Sequence, residues 1–300
     1  MNRRRRCQRG RGPIRVFQAN VRKSPECHDV ALHLAAASGF EIVALQEPWT
    51  MVRDGRCLTK TSPSFDTYCP VQTWSGEDSS TRPRVMTYVR RDNNLHTEQR
   101  NPIPSRDLLL QEVNDMTVIN FYRNGPDALE ALFTLQIPQK TLVVGDFNAR
   151  HHSWQPGADN YQQGADISDW ASRNSLRLIN EPGEPTHEAG NTIDLAFCTV
   201  AGSEATVEEH LYTGSDHYTL ACVVPGPAAP PLRPTKYKTT SEQERKRFGE
   251  LVAQWAPRLP AVAETADEVD GLAQALKDML QAALSASGRK GGKAEQCCSH

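Results

Sequence analysis

Residues 14–20 (Ile14-Arg-Val-Phe-Gln-Ala-Asn20) alternate between apolar and polar side chains, the period of a half-buried strand, and the run ends on an amide. Val30, Leu32 and Leu34, with alanines around them and Gly39 behind, predict a helix of about three turns. Glu41-Ile-Val-Ala-Leu-Gln-Glu47 then reads as a buried strand with a carboxylate at its end, stopped by Pro48. Residues 50–83 lack periodicity and are rich in Ser, Thr, Gly and Asp, which predicts a long irregular insertion. The pattern resumes with strands at 84–91, 107–113 and 116–122, a helix at 126–135, a strand from Thr141 and a helix at 164–174. Strands at Thr192-Ile-Asp-Leu-Ala-Phe-Cys198 and Tyr218 to Val224 close the series. Strands joined sometimes by helices and sometimes by turns predict an α/β sandwich of mixed sheets over residues 14–224.

Beyond Val224 the pattern changes. Five prolines between 225 and 234 predict a stiff linker over 225–240. Ser241-Glu-Gln-Glu244 and Thr265-Ala-Asp-Glu268 have capping-box form, each ahead of an apolar stripe, so 241–286 is predicted as two amphipathic helices. Residues 1–13, rich in Arg and Gly, and 287–300, rich in Gly, Lys and Ser, are predicted to be unstructured tails.

Composition narrows the picture. Three hundred residues with 38% hydrophobic content suffice for one large core plus an appendage. No apolar run reaches the roughly 18 to 20 residues of a membrane span, and the N-terminus has no apolar secretory segment, so a soluble intracellular protein without a membrane partner is expected. Eight cysteines fall without Cys-x-x-Cys or zinc-like spacing, which predicts reduced thiols; the final Cys297-Cys298-Ser-His300 is a weak metal candidate at most. The net charge of −2 hides an asymmetry, because residues 1–23 hold nine Arg or Lys and no acid. That tail suits either a nuclear-localisation or nucleic-acid patch or a merely solvated segment.

The chemistry gathers around Thr141-Leu-Val-Val-Gly-Asp146-Phe-Asn148. Gly145 interrupts an apolar strand, so that Asp146 and Asn148 fall at its end two residues apart. Such a pair is either an Asx turn or a water-activating carboxylate beside an oxyanion-donating amide. Asn20, Glu47, Asp194, Asp216 and His217 also fall at the ends of, or within, predicted strands. Carboxylates gathered in one pocket repel, and a hard divalent cation relieves this while offering positions to phosphate oxygens. Asp194 lies in an apolar run, where an unpaired carboxylate is costly, so it needs a partner.

The order Gln18-Ala-Asn20, Leu45-Gln-Glu47, Asn120-Phe-Tyr122, Gly145-Asp146-Phe-Asn148-Ala, Ile193-Asp194-Leu and Ser215-Asp216-His217 resembles the endonuclease/exonuclease/phosphatase family across residues 14–224. Within it, Gly-Asp-Phe-Asn-Ala-Arg-His-His-Ser-Trp154, Pro185-Thr-His187 and Gly190-Asn-Thr-Ile-Asp-Leu-Ala-Phe197 are similar to endonuclease domains of non-LTR retrotransposons, fungal ones in particular. The resemblance implies a four-layer α/β sandwich and a metal-dependent phosphodiesterase using Mg²⁺, with Mn²⁺ as the alternative. It implies DNA as substrate, nicked to leave a 3′-hydroxyl for a reverse transcriptase, and a reverse transcriptase region or element RNA as partner. Carried over residue by residue, it makes Glu47 the main metal carboxylate, with Asn20 and Asp216 completing the site. Asp146 would activate water, Asn148 and Tyr122 would reach the phosphate, and His217, oriented by Asp194, would stabilise the developing charge. Arg22 stands where repair relatives carry an acid that helps hold metal, and an arginine cannot ligate one. With no polymerase region after the helices, the chain reads as a piece of a longer element protein. Two other readings remain: a phosphoesterase of the same fold acting on RNA, inositol phosphate or phospholipid, and a decayed domain that binds without cutting.

Overall fold

A computed structural model of the chain describes residues 12–91, 95–226, 237–239, 241–260 and 265–290. The basic run Arg3–Arg6, most of the linker and Cys297-Cys298 lie outside the described residues. The chain divides into two compact units, one spanning 11–227 and one holding 228–300.

The larger unit runs β1 (Ile14–Asn20), α1 (Pro25–Ala37), β2 (Ile42–Gln46), β3 (Thr50–Arg53), β4 (Arg56–Thr59), β5 (Phe65–Tyr68), β6 (Val85–Arg90), β7 (Thr97–Arg100), β8 (Leu108–Val113) and β9 (Met116–Tyr122). It continues through α2 (Pro126–Phe133), β10 (Thr141–Asp146), α3 (Gly164–Arg173), β11 (Arg177–Leu178), β12 (Asp194–Cys198), β13 (Glu204–Val207) and β14 (Leu220–Val224). Two six-stranded mixed sheets result, ordered β13-β14-β1-β2-β6-β5 and β11-β12-β10-β9-β8-β7. One apolar cluster, including Val16, Ile42, Ala44, Val118, Leu142, Val144 and Ala196, is shared by the two sheets. A second joins Phe17, Val43 and Leu45 to Ala31, Leu32 and Ala35 of α1, and a third joins Phe121, Val143 and Phe197 to residues of α2 and α3. The layers are therefore helix, sheet, sheet, helices, the α/β sandwich expected.

The insertion 50–83 is more regular than its composition predicts. It holds β5 and the hairpin β3–β4, which turns at Asp54-Gly55 with φ of 51° and 70°. Asp-Gly is a hairpin signal that the polar composition masked. Strands β7 and β13, at sheet edges, were also not predicted, because edge strands carry little apolar pattern.

Alternation along each central strand positions the site. In β1, Val16, Gln18 and Asn20 share the face toward the second sheet, while Phe17 and Ala19 lie under α1. The same period puts Gln46 of β2, Asn120 and Tyr122 of β9, Asp146 of β10 and Asp194 of β12 in the inter-sheet layer with the apolar residues two and four positions away on the same strands. Parallel pairing of β1 with β2 and of β9 with β10 brings their C-terminal ends level, and antiparallel β12 starts there, with Asp194 opposite Asp146. One end of the inter-sheet layer is thus apolar and the other polar.

His28 of α1 is fully buried. The Trp49 backbone N–H donates to its Nδ1 (3.1 Å), so Nε2 carries the proton and meets the Tyr88 hydroxyl at 2.7 Å. Burial lowers its pKa to about 3, and a second ring proton would face the Trp49 N–H. Because the folded value lies below the unfolded one of about 6.5, this contribution to stability is complete above about pH 6.5 and is lost as pH falls toward 3. Between pH 6.5 and about 5 the loss is expected to be roughly 2 kcal/mol. Urea unfolding of the wild type and of His28→Gln at both pH values checks this; equal pH dependence in the two proteins would refute it.

In the smaller unit, both capping boxes form, at Ser241 with Glu244 and at Thr265 with Glu268, opening α4 (Glu242–Trp255) and α5 (Ala266–Ser287). The two helices pack on each other. β15 (Tyr237–Lys238) pairs with β16 (Arg289–Lys290), so parts of the predicted linker and C-terminal tail are ordered. Val269, Leu276 and Leu280 of α5 are exposed. Among the described residues no helix is long and apolar enough to cross a membrane, and the described cysteines are all free.

Candidate active site

Asp146 closes β10, and the Asx turn that the sequence allowed forms there. Its Oδ1 accepts from the Asn148 backbone N–H (2.9 Å), an Asx turn, while Oδ2 accepts from the Asn148 amide (3.1 Å) and the Asn20 amide (3.0 Å). The turn needs glycine before it. A Cβ on Gly145 would sit 1.8 Å from the Phe121 carbonyl oxygen, so any side chain would force β10 off β9 and move Asp146. Although it sits at a strand end, Asp146 is only 1% exposed. Burial and the facing Asp194 carboxylate raise its pKa, against the opposing charge of His217.

Asp194 has its partner. His217 Nδ1 donates to Asp194 Oδ2 at 2.8 Å, and Nε2 lies 3.9 Å from Asp146 Oδ2. Burial works against a charged imidazole here, but Asp194, its hydrogen bond, and the Asp146 and Asp216 charges outweigh it and raise His217 to about 9. The other Asp194 oxygen accepts from the Gln18 amide (2.8 Å). Gln18 also donates to Gln46 Oε1 (2.7 Å), and Gln46 donates to Asn120 Oδ1 (2.7 Å). Asn120 is held by the Leu45 and Met86 carbonyls. This chain of fully buried carboxamides fixes Asp194 from inside the sandwich. Gln18 and Asn120 stood in the sequence motifs without a role, and Gln46 was not singled out. Their signal was a polar residue on the inner face of an otherwise apolar strand.

Glu47, one residue past β2, has φ of 47°, a left-handed conformation that costs a residue with a Cβ roughly 1 to 2 kcal/mol. Asn148 shares the conformation, with φ of 45°, which asparagine adopts more readily than other residues that carry a Cβ. The Tyr122 hydroxyl donates to Glu47 Oε1 at 2.5 Å, and Lys23 Nζ stands 3.8 Å from the same oxygen. Oε2 has no partner among the described residues. Burial and the neighbouring Glu47 raise the Tyr122 pKa, which keeps the hydroxyl a donor.

Asp216 lies between two basic groups, Arg22 Nε at 3.3 Å and His187 Nε2 at 3.5 Å. His187 was quoted in the sequence only as part of a motif; a bridge between its backbone and that of His217 sets the two rings 4.7 Å apart. In the following loop, Trp154 is buried and acts as an anchor, with its indole N–H on the Ala149 carbonyl (3.1 Å). His151 is buried against Trp154, and His152 is exposed.

Among the described residues, two groups of three side chains converge closely enough to share an ion, Asp146/Asp194/His217 and His187/Asp216/His217. In the first, His217 Nδ1 and the carboxylate oxygens already make the hydrogen bonds above, the pattern of an internal ion pair. Glu47 belongs to neither group. Its open Oε2, near the end of β1 that carries Asn20, supplies the hard oxygen chemistry that suits Mg²⁺ with water completing the shell.

A family model of endonuclease-reverse transcriptases matches residues 116–221. A comparison with curated proteins returned no match. Among solved structures, the endonuclease domain of TRAS1, a telomere-specific non-LTR retrotransposon, is similar at 20% identity and a TM-score of 0.58, covering 71% of this chain and 98% of that one. AP endonuclease LMAP from Leishmania major is similar at 12% identity and a TM-score of 0.51, covering 72% and 89%. At these identities the likeness is one of fold. With the family match running from β9 into β14 through Asp146, Asn148, Asp194 and His217, the chain resembles the endonuclease/exonuclease/phosphatase family and, within it, the endonuclease domains of non-LTR retrotransposons.

Proposed function

We propose that the larger unit is a divalent-metal-dependent phosphodiesterase that nicks DNA and leaves a 3′-hydroxyl, which a reverse transcriptase can extend. The observation that carries this reading is the buried Asp194–His217 pair with His217 Nε2 turned toward Asp146. A purely structural core gains little from burying two carboxylates opposite each other, whereas a hydrolytic site needs one group to take a proton and another to carry positive charge.

In this reading Asp146 is the general base. Asn20 and the Asn148 backbone hold its two oxygens, which fixes the direction from which it accepts a proton from water. His217, kept protonated by Asp194, donates from Nε2 to a non-bridging phosphate oxygen as charge builds. The Asn148 amide, bonded at rest to Asp146 and to the Arg123 carbonyl (3.2 Å), exchanges one of these bonds for the phosphate. Tyr122 orients Glu47 and reaches the same phosphate. Glu47 and Asn20 would hold Mg²⁺ or Mn²⁺, with Asp216 alongside, and the cation would supply positive charge to the phosphate. Asp216 contributes through its hold on Arg22 and His187 as well. Residues 14–224 form the catalytic domain in this reading, DNA is the partner, and the proposed place of action is the nucleus.

The test uses supercoiled plasmid, single-stranded RNA, and inositol and lipid phosphoesters, each with Mg²⁺ or with chelator. Conversion of plasmid to open circle only with the cation, carrying ends that a polymerase extends, is the expected result. Hydrolysis confined to RNA or to the small phosphoesters would replace the reading, and binding without cleavage would end it.

A further inference from the structure

Beside Glu47 opens a cavity of about 410 Å³ whose walls include Lys23, Trp49, Arg82, Arg84, Arg106 and Asn124, and no carboxylate lines it. Its cations are unequally engaged. Arg84 is committed to Asp107, with Nη1 at 2.9 and 3.1 Å from the two carboxylate oxygens. Arg106 Nη1 donates to the Ser79 (2.9 Å), Ser80 and Arg82 (3.3 Å) carbonyls, leaving the rest of its guanidinium uncommitted among the described residues. Among the described residues Arg82 makes one long bond, from Nη1 to the Thr50 carbonyl (3.3 Å), and its buried Nε–H has no acceptor. A buried unpaired donor is costly, and so is crowding like charges: burial and the Arg84 charge both lower the Arg106 pKa. An anionic oxygen in the cavity relieves the crowding of like charge and offers an acceptor to the guanidinium donors of Arg82 and Arg106 that make no bond among the described residues.

A second cavity, of about 780 Å³, borders His187 and Tyr218 on either side of the Asp216-His217 turn. Its walls carry Glu184, Glu188, Glu208 and Glu209. These two cavities therefore have opposite electrostatic character, and a phosphodiester backbone is attracted to one and repelled by the other.

We infer that the cavity beside Glu47 is the track for the DNA backbone as it enters the site, with Arg82 and Arg106 contacting its phosphates, and that the glutamate-walled cavity takes no backbone. The inference rests on reading the site as a DNA phosphodiesterase, but its test reads binding and needs no cleavage. Arg82 is the discriminating position, since its substitution gives up a single long hydrogen bond, to the Thr50 carbonyl.

The experiment measures binding of the whole chain to a labelled DNA duplex by fluorescence anisotropy, in chelator, across a salt series. Arg82→Gln and Arg106→Gln are each expected to weaken binding roughly tenfold, the size of a hydrogen bond to a charged group. Each should also lower the log–log salt slope by about 0.9, and the double variant by about 1.8. Glu209→Gln should leave affinity unchanged or raise it. Thermal melts confirm folding, and Arg106→Lys keeps the charge if Arg106→Gln disturbs the 79–82 turn. An unchanged slope in Arg82→Gln overturns the inference, as does an equal loss in Glu209→Gln. Inorganic phosphate displacing the duplex as effectively as unlabelled duplex does would make the cavity a single-anion site, and groove-dependent binding of single-stranded RNA but not of the duplex would refute DNA. A chain that binds with the expected slopes but never nicks would sink the catalytic reading and leave this one standing; a chain that nicks with unchanged slopes would do the reverse.

Discussion

Asp146→Asn is expected to slow metal-dependent plasmid nicking by about 10²–10⁴-fold, the usual contribution of a general base. The substitution keeps the shape of the side chain but places an NH₂ group among donors, since the Asn20 and Asn148 amides both point at Oδ2. It removes one of two facing buried carboxylates, so stability need not fall with activity. Glu47→Gln is expected to lose as much activity for another reason. Glu47 keeps one oxygen on Tyr122 and Lys23 and has the other without a partner among the described residues, and a neutral amide there is a poor ligand for a hard cation. Its loss should therefore raise the cation concentration needed for half-maximal rate, whereas Asp146→Asn should lower the rate at saturating cation. Single-turnover nicking over a Mg²⁺ titration separates the two. Near-wild-type rates for either variant, in a preparation free of contaminating nuclease, would remove that residue from the mechanism.

His217→Ala is expected to slow nicking by about 10²–10³-fold, the cost of removing one donor to a developing oxyanion. Asp194→Asn should cost less, because an amide oxygen still accepts from His217 Nδ1, but it removes the first of the charges that keep the imidazole protonated. The two should act as one unit: with His217 gone, Asp194→Asn should add almost nothing. The pH profile tests the same assignment. An ionised Asp146 requires pH above its raised pKa, so the rate should climb with pH on the acid side. A protonated His217 requires pH below about 9, so the rate should fall beyond it. Asp194→Asn should move that alkaline limb to lower pH and leave the acid limb without a matching shift upward. Additive losses in the double-mutant cycle, or an unmoved alkaline limb, would show that Asp194 acts apart from His217.

What could be read from the chain, and what could not, divides along the range of the interactions. Strand and helix periods, the capping boxes at Ser241 and Thr265, and the turn after Gly145 are set by neighbours within a few residues, so the local pattern was sufficient. The two sheets and their layering followed from the same periods together with the family resemblance. The β3–β4 hairpin was missed although its Asp-Gly signal was present, because polar composition outweighed a two-residue cue.

The sequence by itself determined that polar residues interrupt apolar strands and that Asp194 needed a partner. Only the tertiary structure decided which residues answer one another. It set Gln18 on Asp194 across 176 positions of chain, paired Arg22 with Asp216, turned Tyr122 onto Glu47 and forced Glu47 into a left-handed conformation. It also buried Asp146, which a position at a strand end had left open. The reason is physical: alternation fixes the face on which a side chain lies, whereas hydrogen-bond partners and buried charges depend on how two sheets stack, and stacking is a property of the whole sandwich.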